Sequence, residues 1–177
     1  MLCDVAGSTL IIIDFQERLM PSIDDGSALM KNAMILAQAA RRLDVPVIGT
    51  EQNPAGLGPN AAAIKALCDR TIAKSDFNAC AQPEFLKALD PARDDLIVAG
   101  CEAHVCVLQT VLGLLDAKRR VRLVADAIGS RQPLNKTIAM DRARAAGAEI
   151  ITTEMVLFEW LRSNDHPRFR ELLRLIR

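Results

Sequence analysis

Residues 94–115 change hydrophobic period partway along, and that change constrains the fold. Asp94 and Asp95 lead into a short apolar run, 96–99, which Gly100 breaks. From Ala103 onward the spacing is helical, with Val107, Val111, Leu114 and Leu115 at steps of three and four. A buried strand, a tight turn and a helix account for this pattern. The alternation recurs along the chain. Apolar, mostly β-branched runs predict strands over 9–14, 45–49, 71–74, 96–99, 121–126 and 148–151. Helical stripes fall between them: from Ser27, read as an N-cap, to Leu43, then over 61–67, 83–89, 134–146, 155–161 and 167–176. Thr152 is the expected cap of the penultimate helix. Residues 50–60, polar and rich in Gly and Pro, read as a loop.

Six short strands alternating with helices point to one α/β architecture. It is a three-layer, doubly wound, six-stranded parallel sheet of Rossmann-like order 3-2-1-4-5-6. Aromatics make up only 3% of the chain against 50% hydrophobic residues overall, so small and branched aliphatics carry the core. That suits a sheet covered on both faces. No internal repeat or linker interrupts residues 1–177, and a single domain is expected.

Such a sheet binds ligands outside the carboxyl ends of its strands, where the order switches between strands 1 and 4. Asp14 ends the first expected strand, Lys74 ends the third, and Cys106 follows the fourth. A carboxylate, an ammonium and a thiol therefore converge on one crevice. A helix N-terminus offers unpaired N–H groups and partial positive charge, which would push Cys106 towards thiolate and could hold an oxyanion. Asp14 could accept the thiol proton, with Lys74 keeping the carboxylate ionised. The natural reaction is attack of Cys106 on a carbonyl, then hydrolysis of the acyl-enzyme. Phe15, Gln16, Gln52, Asn53 and His104 are candidate pocket residues. Each has a plainer account: a core phenylalanine, loop amides, and a histidine two residues from Cys106 that a turn would point elsewhere. Cys101 reads as a small core residue.

Other chemistries are disfavoured. Lys plus Arg equals Asp plus Glu at 22 each, so no net field favours nucleic acid or an anionic membrane. The basic cluster Lys118, Arg119, Arg120 and Arg122 reads as a solvated helix end feeding a strand. Five cysteines without a C-x-x-C pair argue against zinc ribbons and thioredoxin chemistry, and fit a reducing, cytoplasmic compartment. No stretch has the length of a membrane span or the layout of a signal peptide. His104 and His166 are too far apart in sequence to suggest a metal site, and no cofactor is expected.

Three motifs carry a family resemblance: Ile-Ile-Ile-Asp-Phe-Gln (11–16), Ala-Lys-Ser (73–75) and Gly-Cys-Glu-Ala-His-Val-Cys-Val (100–107). Together they resemble the isochorismatase-like cysteine hydrolases over nearly the whole chain. The resemblance implies a triad of Asp14, Lys74 and Cys106. It also implies a non-proline cis peptide joining Cys101 and Glu102, and oxyanion donors at the Glu102 and Cys106 N–H groups. Thr-Glu-Gln (50–52) and Gly-Leu-Gly-Pro (56–59) are shared with a subgroup of hydrolases of unknown substrate. Nicotinamidases of the family hold a metal through an Asp-x-His loop after the second strand. Here that loop reads Glu51-Gln52-Asn53, which implies no metal and points away from nicotinamide. Isochorismatases proper lack the cysteine, so a vinyl ether is also disfavoured. Relatives assemble as dimers, tetramers and larger rings, which implies a homo-oligomer. The resulting expectation is a metal-independent hydrolase of a small carbonyl compound, an amide in particular, through a Cys106 thioester. The rivals are a thiol redox protein using Cys106 and Cys101, and a non-catalytic small-molecule-binding or scaffold member of the fold.

Overall fold

The computed structural model describes all 177 residues. Six parallel strands form one sheet: β1 (Ser8–Ile13), β2 (Val47–Gln52), β3 (Arg70–Lys74), β4 (Asp95–Cys101), β5 (Arg120–Gly129) and β6 (Glu149–Ile151). Their order is β3-β2-β1-β4-β5-β6, the order expected as the commonest for a doubly wound sheet. Between them run α1 (Gly26–Arg42), α2 (Pro54–Leu57), α3 (Ala62–Lys65), α4 (Pro83–Ala88), α5 (Leu108–Asp116) and α6 (Pro133–Ala145), followed by α7 (Thr153–Leu161) and α8 (Phe169–Leu173).

Successive side chains of a strand point to opposite faces, and both faces of β1 are covered. Leu10 and Ile12 pack with Leu36 of α1 and Val156 and Trp160 of α7. Ile11 and Ile13 pack with Phe85 of α4, Val111 and Leu114 of α5, and Ala139 of α6. Close approach between the central strands is made at Gly100, paired with Ile13. A Cβ there would stand 2.4 Å from the Ile13 carbonyl oxygen, so only glycine lets β1 and β4 meet at the end where the candidate groups lie.

Four sequence expectations need correction. First, β2 continues three residues past Gly49, through Thr50, Glu51 and Gln52, which had read as loop. These polar residues are buried, and each finds partners: Thr50 with Asp14, Glu51 with the Asn60 N–H and Lys65, and Gln52 with Lys74. Burial of polar side chains is tolerated once their hydrogen bonds are made. Second, Ser27 is not the cap of α1. The helix starts at Gly26 after Asp25 in a left-handed conformation (φ 49°), with no side-chain cap. A Cβ at Gly26 would lie 2.9 Å from the Met20 carbonyl oxygen, so tight packing fixes the start. Thr152 does cap α7, accepting from the Met155 N–H at 3.3 Å. Third, α8 is a short helix of Phe169–Leu173 rather than one reaching residue 176.

Fourth, Arg122 is fully buried, not part of a solvated cluster. Its guanidinium donates to Asp95 at 2.7 Å and Glu149 at 2.6 Å, and to the Met1 carbonyl. The Cys3 N–H donates to Glu159 at 2.6 Å, and Arg162 donates to the Cys3 carbonyl at 2.6 Å. This network closes the amino-terminal end of the sheet and straps the first residues across it. No helix is long and apolar enough to cross a membrane.

Candidate active site

The parallel order places the carboxyl ends of β3, β2, β1 and β4 side by side, and polar side chains gather at the ends of β3, β2 and β1. Asp14 follows β1 in a left-handed conformation (φ 54°), with its carboxylate entirely buried. Thr50 Oγ1 donates to Asp14 Oδ1 at 2.6 Å, and Lys74 Nζ donates to Asp14 Oδ2 at 2.8 Å. Lys74 Nζ donates again to Gln52 Oε1, also at 2.8 Å. Both side chains of the Asp14–Lys74 pair have no exposed surface. Away from water, such a pair holds only when the remaining polar atoms also find partners, which Thr50 and Gln52 supply.

Cys106 enters from the other side of the switch. It sits in a π-helical turn, Ala103–Val107, that precedes α5. Single π turns interrupt the regular helix ladder and recur at functional sites. Cys106 Sγ lies 4.0 Å from Gln52 Oε1, and the residue as a whole is 6% exposed. The turn closes through the Val105 and Val107 N–H groups, which donate to the Glu102 carbonyl at 3.0 and 3.2 Å; neither bond draws on the Glu102 N–H. The Cys101–Glu102 peptide is cis.

The sulfur's charge state differs from the sequence expectation. Burial first and the Asp14 carboxylate second push the Cys106 thiol up to about 12, against an opposing pull from Lys74. Cys106 therefore rests as a thiol and not a thiolate. Helix termini lower a thiol's pKa where the site is open and cationic; this one is closed and holds a carboxylate.

The remaining candidates divide. Gln52 lies inside the site. Asn53 is exposed at its rim, with its N–H donating to the Lys74 carbonyl at 2.9 Å. It borders a hollow of about 260 Å³ shared with Pro54, Lys74, Ser75 and Gln82. Gln16 and Phe15 are not wall residues. Gln16 is fully buried, and its amide is spent on backbone groups of Gln52 and Gly58. Phe15 is fully buried in the core on the α1 side of the sheet. His104 faces away from the sulfur's partners, with Nδ1 3.0 Å from Ser130 Oγ and Nε2 3.4 Å from Asn135 Nδ2. The Glu102 carboxylate accepts from the Arg131 N–H at 3.0 Å and from Arg131 Nε at 3.1 Å, tying the turn to the loop after β5. Ser130, Arg131 and Asn135 were not singled out from the sequence, and Thr50 entered only as the first residue of the Thr-Glu-Gln motif, with no role given to its side chain. A larger hollow of about 430 Å³ is lined by Phe169, Arg170 and Arg174 near the C-terminus and includes none of these groups. No group of three or more His, Cys, Asp or Glu side chains is arranged to hold a metal. Glu51 is occupied by the Asn60 N–H and Lys65.

The family described as the isochorismatase domain matches residues 8–155. A Caenorhabditis elegans structure described as MAR1 ribonuclease is 33% identical, with a TM-score of 0.94 over 99% of this chain and 92% of that one. YcaC from Pseudomonas aeruginosa, solved with hexane-2,5-diol and covalent acrylamide, is 27% identical (TM-score 0.91, 98% of this chain and 91% of that one). The YcaC product of Escherichia coli, described as an octameric hydrolase of unknown specificity, is 25% identical (TM-score 0.87, 98% and 95%).

Proposed function

Because the chain belongs to the isochorismatase-like hydrolase family, we propose that it hydrolyses a small amide through a Cys106 thioester, without a metal. The observation that carries this reading is the buried Asp14–Lys74 pair, with Cys106 and Gln52 beside it. A resting thiol needs a base at the moment of attack, and Asp14 is the carboxylate whose charge acts on the sulfur. As the C–S bond forms, the thiol proton passes to Asp14. The oxyanion is held by the Glu102 and Cys106 N–H groups. The C–N bond then breaks and the amine leaves with the proton from Asp14. Water gives a proton to Asp14 as it attacks the thioester; the carboxylic acid departs and Cys106 regains its hydrogen. Lys74 offsets the charge on Asp14 throughout. The small exposure of Cys106, at 6%, favours an unhindered acyl group.

The covalent acrylamide on the Pseudomonas protein supports a reactive nucleophile in this fold, since acrylamide is a thiol alkylator. Redox exchange is less well served. Cys101 is fully buried with its thiol pushed well above the ordinary range, and Cys106 is no thiolate at rest. RNA is the natural control substrate, given the name of the Caenorhabditis protein. A neutral net charge and a buried Asp14–Lys74 pair do not suit a polyanion. Incubation with a panel of small primary amides should give ammonia release and a Cys106-linked acyl mass adduct, both lost in Cys106→Ser. RNA cleavage that survives Cys106→Ser, or amide turnover without Cys106, would overturn the reading.

The octameric Escherichia coli relative supports self-association here too. Phe77, Leu134, Ile138 and Phe158 leave 44–69% of their surface exposed in the isolated chain. Light scattering should report a multimer; a stable monomer at micromolar concentration would remove this part of the proposal.

A further inference from the structure

We infer that Gln52 is a positioning residue that acts through Lys74, an inference that rests on the hydrolase reading of the same site. Every polar atom of Gln52 is committed. Its backbone N–H donates to Gln16 Oε1 at 2.8 Å, and its carbonyl accepts from Gln16 Nε2 at 2.9 Å. Gln16 Nε2 donates also to the Gly58 carbonyl at 2.6 Å, so the strand end and the following loop are clamped together. The side-chain Nε2 of Gln52 donates to the Ser75 carbonyl at 2.7 Å, which leaves Oε1 for Lys74 Nζ at 2.8 Å and for Cys106 at 4.0 Å.

This arrangement fixes which way the amide points. An ammonium donates only, and a carbonyl accepts only. Turning the amide over would set its NH2 against the Lys74 ammonium and its oxygen against the Ser75 carbonyl, so both contacts would become repulsive. The oxygen therefore faces the site. A lysine stem is long and flexible, and Asp14 Oδ2 alone would leave the ammonium free to pivot about one contact. The Gln52 oxygen is a second acceptor that sets Nζ between carboxylate and thiol. A carboxamide does this without adding a second negative charge beside the sulfur.

The test is the rate of Cys106 carbamidomethylation by iodoacetamide from pH 7 to 10, read at peptide level, in the whole protein. The variants are Gln52→Met, Lys74→Met, the double substitution, and Gln52→Glu. Gln52→Met should slow Cys106 by about tenfold, the equivalent of one pKa unit. That effect should vanish in the Lys74→Met background, because the oxygen acts through the ammonium. Gln52→Glu, which keeps the shape, should move the Cys106 profile to higher pH. Loss of fold would have the opposite signature, exposing the buried Cys3 and Cys101 to the reagent. If Lys74→Met slows Cys106 while neither Gln52 variant does, the inference is overturned and the hydrolase reading stands. Effects of Gln52→Met and Lys74→Met that simply add overturn it as well. If Lys74→Met itself leaves Cys106 unchanged, the reading of the site fails with it.

Discussion

Asp14→Asn is expected to make Cys106 easier to ionise and, in the same protein, to slow the proposed amide hydrolysis. The thiol stands at about 12 because of burial first and the Asp14 carboxylate second, with Lys74 pulling the other way. Asparagine removes the second cause and leaves the first and the opposing pull. The alkylation midpoint of Cys106 therefore falls towards the ordinary thiol value without reaching it. At neutral pH the variant's sulfur reacts faster with iodoacetamide than the wild-type sulfur does. Turnover of any amide substrate falls by about 10²–10⁴-fold, the usual contribution of a general base. The two changes run in opposite directions, so general damage to the site does not mimic them; Cys3 and Cys101 report unfolding if it occurs. A Cys106 profile that stays put would show that the Asp14 charge does not act on the sulfur. Retained turnover would remove Asp14 as the base.

The second large effect is on stability. Asp14 and Lys74 are an ion pair with no exposed side-chain surface. Removing one partner leaves the other charged, buried and only partly satisfied: Asp14 would keep Thr50, and Lys74 would keep Gln52. Such single removals cost about 3–5 kcal/mol. Lys74→Met and Asp14→Asn should each lower the urea midpoint accordingly. The double substitution should be less destabilised than either single one, since no uncompensated charge remains in the interior. Equilibrium urea unfolding of the four proteins gives the coupling directly. If the double variant loses as much as the two single variants together, the charges are not coupled and the site is wetter than its geometry implies.

The path from sequence to site was short for some residues and closed for others. Asp14, Lys74 and Cys106 stood out because each ends or follows an apolar run. In a parallel doubly wound sheet, strand ends meet whatever the loops do. Gln52 stood out as a candidate pocket amide on a loop and not as the end of a strand, because 50–52 reads as polar and the burial of these three residues depends on partners elsewhere in the chain: Asp14, Asn60, Lys65 and Lys74. Gln16 was misread for a related reason. A glutamine after an apolar strand looks like a pocket amide, and only the path of residues 52–58 turns it into a clamp. Arg122 looked solvated beside three other basic residues until Asp95 and Glu149 came to meet it.

The sequence by itself determined the alternation of strands with helices, the doubly wound class, and the placing of Asp14 and Lys74 at strand ends. These follow from hydrophobic period and chain connectivity, which are local or topological. Tertiary structure alone decided how strongly the Cys106 thiol is held protonated and which hydrogen-bond partners surround the candidate site. The helix start beside Cys106 is a local feature that favours thiolate. Burial and a carboxylate from a distant strand outweigh it, because desolvation and Coulomb energies depend on what surrounds a group in space, not on its neighbours in sequence.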